Sequence, residues 1–168
     1  MASGSPSAGD RAPGFVVETD HGRLALGDLL ASGVLVLAFY YEDATPTCST
    51  QIASLRDGFD LLQELGAGVL ALSSDSLESH TAFCERLGGL PFPLGSDPDL
   101  SVARAYGVVD EGGRRSRRAI FVIDQAGTVL LALAHYNPAN VSQLEAVFRA
   151  VDAAQGRLRQ DQEETEPR

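Results

Sequence analysis

The apolar residues of this chain fall into short runs separated by polar turns. The strongest run is Val34 to Tyr40 (VLVLAFY). Its length, its lack of alternation and its β-branched and aromatic residues predict a central strand buried on both faces. Upstream, Phe15–Glu18 and Arg23–Leu26 flank the turn signal Thr19-Asp20-His21-Gly22, which predicts a hairpin. Downstream of the polar loop Tyr41–Thr47, the residues Ile52, Leu55, Phe59, Leu62 and Leu65 recur at helical spacing. They predict a helix over Cys48–Glu64, stopped by Gly66 and Gly68. Val69–Leu72 reads as a second strand. Ser74 and Asp75 are N-cap candidates for a helix over Leu77–Leu87, which Gly88-Gly89 closes. Leu90–Leu94 must be extended, because Pro91 and Pro93 exclude a helix there, and Pro98–Tyr106 reads as a short helix. Ala119–Ile123 is a buried strand that Gln125-Ala126-Gly127 turns into Val129–Ala134, an antiparallel pair. Val141–Ala153 closes the pattern as an amphipathic helix.

The order βαβα…ββα describes an α/β domain. Its mixed central β-sheet is flanked by helices and preceded by an N-terminal β-hairpin, which is the thioredoxin-like fold. The domain is expected over residues 13–154. Residues 1–12 and 155–168 lack an apolar pattern and are expected to be flexible tails, the second carrying the acidic run Asp161–Glu166.

Composition narrows the function. The chain has 168 residues, 44% of them hydrophobic and 21% charged, which suits one domain with a core large enough to need no disulfide or metal staple. Both cysteines are therefore available for chemistry. Thirteen basic residues against 23 acidic ones give a net charge of −10, and every basic residue is arginine. Nucleic acid is not an expected partner, and mechanisms that need a lysine Schiff base or a Walker lysine are excluded. Met1–Gly14 has no apolar signal-peptide core, and no apolar run approaches the ~18 residues of a membrane span. A cytoplasmic, non-membrane protein is expected, and in that reducing compartment Cys48 and Cys84 read as chemistry rather than scaffold. His21, His80 and His135 show no metal-ligand spacing with each other or with the cysteines, so surface or capping roles are expected, with no metal and no cofactor.

Cys48 ends the loop after the core strand and opens a helix. Unpaired N–H groups and the positive end of the helix dipole stabilise a thiolate there. Thr45 can turn its hydroxyl toward the same spot, and Pro46 fixes the backbone without adding an N–H. A buried, inert cysteine at a helix start fits the position equally well.

The stretch Thr45-Pro46-Thr47-Cys48, following a Phe39-Tyr40-Tyr41 strand end, resembles the active-site loop of the peroxiredoxins (AhpC/TSA-like), and in particular their bacterioferritin comigratory protein, or peroxiredoxin Q, subfamily. The resemblance continues through Ser54-Leu55-Arg56-Asp57, Ser73 to His80, Leu90 to Leu94, Ser96-Asp97-Pro98-Asp99 and Arg118 to Asp124, and spans about Gly9 to Val151. It implies a thioredoxin-fold thiol peroxidase acting on hydrogen peroxide and organic hydroperoxides, with an antioxidant role in cell redox homeostasis. Cys48 would be the peroxidatic cysteine, oxidised to a sulfenic acid. Thr45 and Arg118 would be the catalytic threonine and arginine, with Pro46 and Thr47 completing the substrate-binding loop. A guanidinium beside Cys48 favours the thiolate and offers directed donors to the peroxide oxygens. The family spacing selects Arg118 over Arg117; otherwise it would be one more solvated charge of the Arg114, Arg115, Arg117, Arg118 cluster, which offers a docking patch for an acidic reductase. Two residues depart from the family pattern: Tyr41 stands where a proline is usual, and Gln51 where a glutamate is usual.

Many relatives carry a resolving cysteine five residues after the peroxidatic one, where this chain has Ala53. A subset places it where Cys84 stands. The resemblance therefore implies an intramolecular Cys48–Cys84 disulfide, recycled by a thioredoxin-like or other dithiol reductant, in a monomer. The alternative is a one-cysteine enzyme rescued by an external thiol, with Cys84 packed as a small apolar residue. A thioredoxin-like disulfide reductase would need Cys-x-x-Cys, and Gln51 occupies the second cysteine position. A non-catalytic redox sensor on the same fold is the other alternative.

Overall fold

In the computed structural model, which describes residues 4–165 and side chains as far as residue 156, a seven-stranded sheet forms the centre of the molecule. The strands are β1 (Val16–Thr19), β2 (Gly22–Ala25), β3 (Val34–Phe39), β4 (Ala67–Ser73), β5 (Leu94–Ser96), β6 (Ala119–Ile123) and β7 (Val129–Leu133), in the spatial order β2-β1-β5-β4-β3-β6-β7. β3, β4 and β5 are parallel neighbours, and the other pairs are antiparallel. The helices are α1 (Leu26–Ala31), α2 (Pro46–Asp57), α3 (Phe59–Glu64), α4 (Leu77–Arg86), α5 (Ser101–Ala105) and α6 (Val141–Thr165). The thioredoxin-like fold is thus present: β3, α2 and β4 make the parallel crossover, β6 and β7 the hairpin, and α6 the closing helix. β1 and β2 form the expected N-terminal hairpin.

Every residue of β3 is buried, as its unbroken apolar run requires. Alternation then divides the strand between two cores. Val34, Val36 and Ala38 pack with Tyr40, Cys48, Ile52, Phe83 and Val147 on one face. Leu35, Leu37 and Phe39 pack with Leu26, Leu30, Val102 and Tyr106 on the other. Among the described residues no helix is long and apolar enough to cross a membrane.

Four local expectations are corrected. The helix expected over Cys48–Glu64 begins at Pro46 and divides at Gly58, where a Cβ would lie 2.7 Å from the Phe148 ring of α6, so close packing favours glycine at the division. The N-cap of α4 is Ser76, whose hydroxyl accepts the Ser79 N–H at 3.1 Å, rather than Ser74 or Asp75. The described part of the segment 1–12 is tied down rather than loose. Gly9 N–H and Ala12 N–H donate to Val129 and Gly127 carbonyls at 2.8 Å, Val129 N–H donates back to Asp10, and Ala12 is buried. Backbone pairing leaves no trace in an apolar pattern, so it was invisible in the sequence. Residues 1–3 lie outside the described part. At the other end, α6 runs on to Thr165, past the end of its apolar stripe at Ala154, through good helix formers such as Arg, Leu, Gln and Glu. Residues 166–168 lie outside the described part, as do the side chains of the acidic run.

Candidate active site

The carboxyl ends of β3, β4 and β5 meet at one edge of the sheet, where open α/β sheets bind ligands. The chain leaves β3 at Tyr40, crosses a short loop and enters α2 at Pro46. Proline at the first helical position costs nothing, because its missing N–H would have no intrahelical partner. Thr45 is the N-cap, with extended backbone, but its hydroxyl donates to the Glu42 carbonyl at 3.1 Å rather than to its own helix. The rotamer expected to face Cys48 is therefore not the one occupied. Pro46 and Thr47 are exposed on the first turn. Cys48, the third residue of α2, is 0% exposed, and its Sγ accepts the Tyr41 N–H at 3.3 Å. The loop thus folds back on the thiol and supplies a donor suited to a thiolate. Ala44, within the same loop, holds φ at +64°, a left-handed conformation that costs a non-glycine residue about 1–2 kcal/mol.

Strand register brings in the arginine. Phe39 pairs with Ala119 in the antiparallel β3–β6 ladder, so the next position sets Tyr40 across from Arg118. Ile120 and Val122 face the core that contains Cys48, whereas Ala119 and Phe121 face the other. Alternation carried one residue further gives Arg118 the Cys48 face and Arg117 the opposite one. The hydrogen bonds agree. Two Arg117 nitrogens are engaged, Nη1 with His135 Nε2 at 3.1 Å and Nη2 with the Gly107 carbonyl at 3.2 Å, and the Nε atoms of both Arg117 and Arg118 are buried without a partner. Tyr41, Arg117, Arg118, His135, Tyr136 and Asn137 line an open cavity of about 310 Å³ above the loop. A larger cleft of about 690 Å³, lined among others by Arg11, Phe15, Leu26 and Gln125, holds no nucleophile, so volume alone does not mark the site.

The two departures from the family pattern have distinct structural roles. Tyr41 is 38% exposed, forms part of the cavity wall and lies 5.8 Å from the Arg115 guanidinium, within cation–π range. Gln51 is buried, and its Nε2 donates to the Phe39 carbonyl at 3.1 Å while its Oε1 has no partner. Cys84 is half-buried on α4, next to Phe83, which fills the core beside Cys48; both thiols are free. The arginine cluster is not a single patch. Arg115 pairs with Asp75 at 3.1 Å and Glu42 at 3.5 Å, and Arg117 is bound as described above.

His80 corrects a further expectation. It is neither on the surface nor a cap but 0% exposed, with Nδ1 2.8 Å from Asp43 Oδ2 and Nε2 2.9 Å from the Gly95 carbonyl. The Tyr40 hydroxyl donates to Asp43 Oδ1 at 2.6 Å, and Ser79 Oγ donates to Oδ2 at 2.7 Å. The Asp43 N–H donates to Asp75 Oδ2 at 2.9 Å. Sequence reading missed this network. The available signal was the spacing of His80 and Phe83 on one face of α4, which reads equally as a core stripe. Burial pushes the Asp43 carboxyl up, but hydrogen bonds from His80, Tyr40 and Ser79 outweigh it and hold the group below the usual carboxylate range. Burial likewise pushes His80 down, and the Asp43 hydrogen bond and charge more than offset it, leaving the imidazole above its ordinary value. Tyr40 is raised by burial and by the Asp43 charge. His21 is exposed beside Asp20, and among the described residues no group of three or more His, Cys, Asp or Glu side chains could hold a metal ion.

A thioredoxin-like sheet with a buried cysteine opening the helix after its central strand defines a thiol-based redox protein. The comparisons are more specific. Residues 8–132 match the AhpC/TSA family. A peroxiredoxin of Thermoplasma volcanium is 33% identical over 153 residues, covering 88% of this chain and 74% of its own. The peroxidoxin BcpB of Mycobacterium tuberculosis superposes with a TM-score of 0.79 at 26% identity, covering 88% of this chain and 97% of its own. A reduced 2-Cys peroxiredoxin of Plasmodium vivax gives 0.79 at 28% identity, covering 91% and 99%. The chain belongs to the AhpC/TSA family, the peroxiredoxins, which are thiol peroxidases.

Proposed function

We propose that this protein reduces hydrogen peroxide and small organic hydroperoxides through Cys48, with Cys84 as the resolving thiol and a thioredoxin-like dithiol protein as the reductant. The observation that carries this reading is the Cys48 environment: a buried thiol at a helix N-terminus, receiving the Tyr41 N–H, beneath a small cavity lined by Arg118. The Cys48 thiolate attacks one peroxide oxygen, the O–O bond breaks, and the departing alkoxide or hydroxide takes a proton to leave as alcohol or water. Cys48 is left as the sulfenic acid. Arg118 supplies unpaired donors toward the charge that develops on the departing oxygen. Thr45, by rotating its hydroxyl away from Glu42, adds a further donor or acceptor at the same spot. Pro46 and Thr47 complete the rim.

The Cys84 thiol then attacks the Cys48 sulfenic sulfur, expelling water and forming a disulfide, which the external dithiol reduces by exchange. Cys48 and Cys84 lie on different helices, and a disulfide requires Cα atoms within about 7 Å; in this cycle Cys48 leaves its buried position as the first turn of α2 unwinds. Among the described residues the large exposed apolar ones, Val16, Tyr41, Leu61, Leu77 and Val141, are scattered among several elements, which supports a monomer. A cytoplasmic location accords with the two unpaired thiols.

Intact mass under non-reducing conditions after one equivalent of hydrogen peroxide, on wild type, Cys48→Ser and Cys84→Ser, tests the cycle. Loss of two hydrogens in wild type alone, with a trappable sulfenic acid in Cys84→Ser, is expected. A sulfenic acid at Cys48 in wild type with no internal disulfide would make Cys84 structural and the enzyme a one-cysteine peroxidase. An unmodified Cys48 would overturn the peroxidase assignment.

A further inference from the structure

The protonation of His80 follows from its partners. Nε2 faces the Gly95 carbonyl, which can only accept, so Nε2 carries hydrogen. Nδ1 faces a carboxylate oxygen at 2.8 Å, and the Tyr40 hydroxyl, 3.2 Å from Nδ1, has its proton engaged by Asp43 Oδ1. Nδ1 must therefore donate as well, which makes His80 an imidazolium paired with a carboxylate whose side chain is 4% exposed. The titratable groups around the ring are Asp43 from the loop, Tyr40 from the end of β3 and Asp75 from the β4–α4 turn, itself neutralised by Arg115. β5 contributes the Gly95 carbonyl, and α4 itself the Ser79 hydroxyl that shares Asp43.

We propose that the Asp43–His80 ion pair is a positioning latch for Cys48: it fastens the loop covering the thiol to the helix carrying Cys84, holding the loop closed while His80 is charged and releasing it on deprotonation. This rests on the roles given above to Cys48 and Cys84. Asp43 lies two residues from Tyr41, whose N–H contacts the thiol, and next to Ala44, whose backbone is left-handed. His80 lies one helical turn before Cys84 on α4. The latch therefore joins the loop that leads into α2 to α4, the helix to which the disulfide would tie α2 itself. Loss of the His80 proton places a lone pair against the Asp43 carboxylate and reverses the sign of that contact. Asp43 and His80 touch neither peroxide nor sulfur, so their effect is on access and geometry.

The test uses Cys84→Ser protein, in which Cys48 is the single thiol. Its alkylation by iodoacetamide and by a bulky pyrene maleimide is followed from pH 5 to 9, with the His80 ring titrated in parallel by NMR. Both reagents need the thiolate, so the ratio of their rates cancels thiol ionisation and reads loop opening. The ratio should rise in step with His80 deprotonation, about tenfold for each pH unit separating the closed-loop and open-loop titrations of His80. Asp43→Asn in the same background should abolish the step, because the amide donates to neutral Nδ1. A ratio that stays flat through the wild-type His80 titration, or a step that survives in Asp43→Asn, overturns the latch. Should Asp43→Asn fail to fold, the coincidence of the step with the wild-type NMR titration decides alone. Hydrogen peroxide with a sulfenic-acid trap is applied to the same samples. A missing adduct sinks the peroxidase reading while the ratio still judges the latch, and an adduct with a flat ratio sinks the latch alone.

Discussion

Removing the Asp43 carboxylate should cost stability in a way that depends on its replacement. Asp43→Ala leaves a buried imidazole facing the Gly95 carbonyl with no counter-charge, and leaves the Tyr40 and Ser79 hydroxyls without their acceptor. Breaking a buried pair from one side costs about 3–5 kcal/mol, a large share of a total stability of about 5–15 kcal/mol. Asp43→Asn keeps an oxygen for Tyr40 and offers an amide N–H to Nδ1 of the neutral ring, whose Nε2 proton still serves Gly95. What is lost is the difference between charge-assisted and neutral hydrogen bonds, about 1–2 kcal/mol. The pH dependence has a fixed sign. His80 is raised, so its contribution is whole below its unfolded value of about 6.5 and is lost as pH rises through the folded one. Asp43 is lowered, so its contribution is present above about 3.9 and is lost as pH falls through the folded value. Urea unfolding of wild type and both variants from pH 5 to 9 checks this, the gap between wild type and Asp43→Asn being widest near pH 5 to 6 and closing on the alkaline side. An Asp43→Asn cost equal to that of Asp43→Ala, or a gap independent of pH, would refute the charged-pair assignment.

Arg118→Ala should lower the second-order rate constant for sulfenic acid formation by about 10²–10³-fold, as loss of a donor to a developing oxyanion does. Arg117→Ala, which removes a guanidinium already occupied by Gly107 and His135, should leave it within a few-fold; stopped-flow peroxide kinetics separates the two. Gly33→Ala should destabilise by more than about 3 kcal/mol in urea unfolding, because its Cβ would lie 2.3 Å from the Gly66 carbonyl oxygen at a positive φ. Cys48→Ser should abolish peroxide consumption and, by placing a hydroxyl in a fully buried position, cost about 1–3 kcal/mol of stability, read by peroxide depletion alongside the same unfolding curve.

The parts of this fold that were legible in the sequence are those where burial writes a period. β3 and β6 appear as unbroken apolar runs because both of their faces are covered, and β6 was bounded to the residue at Ala119–Ile123. Cys48 stood out because a cysteine that opens a helix after such a strand is exposed to the helix dipole whatever packs around it. The break at Gly58 was not legible, since the apolar period runs through it and the close approach of Phe148 comes from a helix some ninety residues later. Nor were the pairing of Gly9 and Ala12 with the β6–β7 turn, which uses backbone groups alone, and the left-handed Ala44, a residue type that gives no sign of it. His80 was misread because a lone histidine on a half-apolar helix face has no local partner in sequence; its carboxylate lies thirty-seven residues upstream.

Topology explains why such separate segments meet. β3, β4 and β5 run parallel, so their carboxyl ends deliver Tyr40 and Asp43, Ser73 and Asp75, and the Gly95 carbonyl to one edge of the sheet. β6 runs antiparallel to β3, so the same edge receives its amino end, with Ser116 donating to the Tyr40 carbonyl at 2.7 Å and Arg118 across from Tyr40 in register. The edge therefore contains two chemistries divided by the course of the loop. On one flank the Cys48 thiol accepts the Tyr41 N–H, and Tyr41 and Arg118 line the open cavity. On the other, Asp43, His80 and Ser79 hydrogen-bond one another. The saturated flank holds the loop in place, while Arg118 Nε keeps an unused donor on the other. Tyr41 on one flank and Asp43 on the other belong to one loop, two residues apart, which is the path by which the proposed latch would act on the thiol.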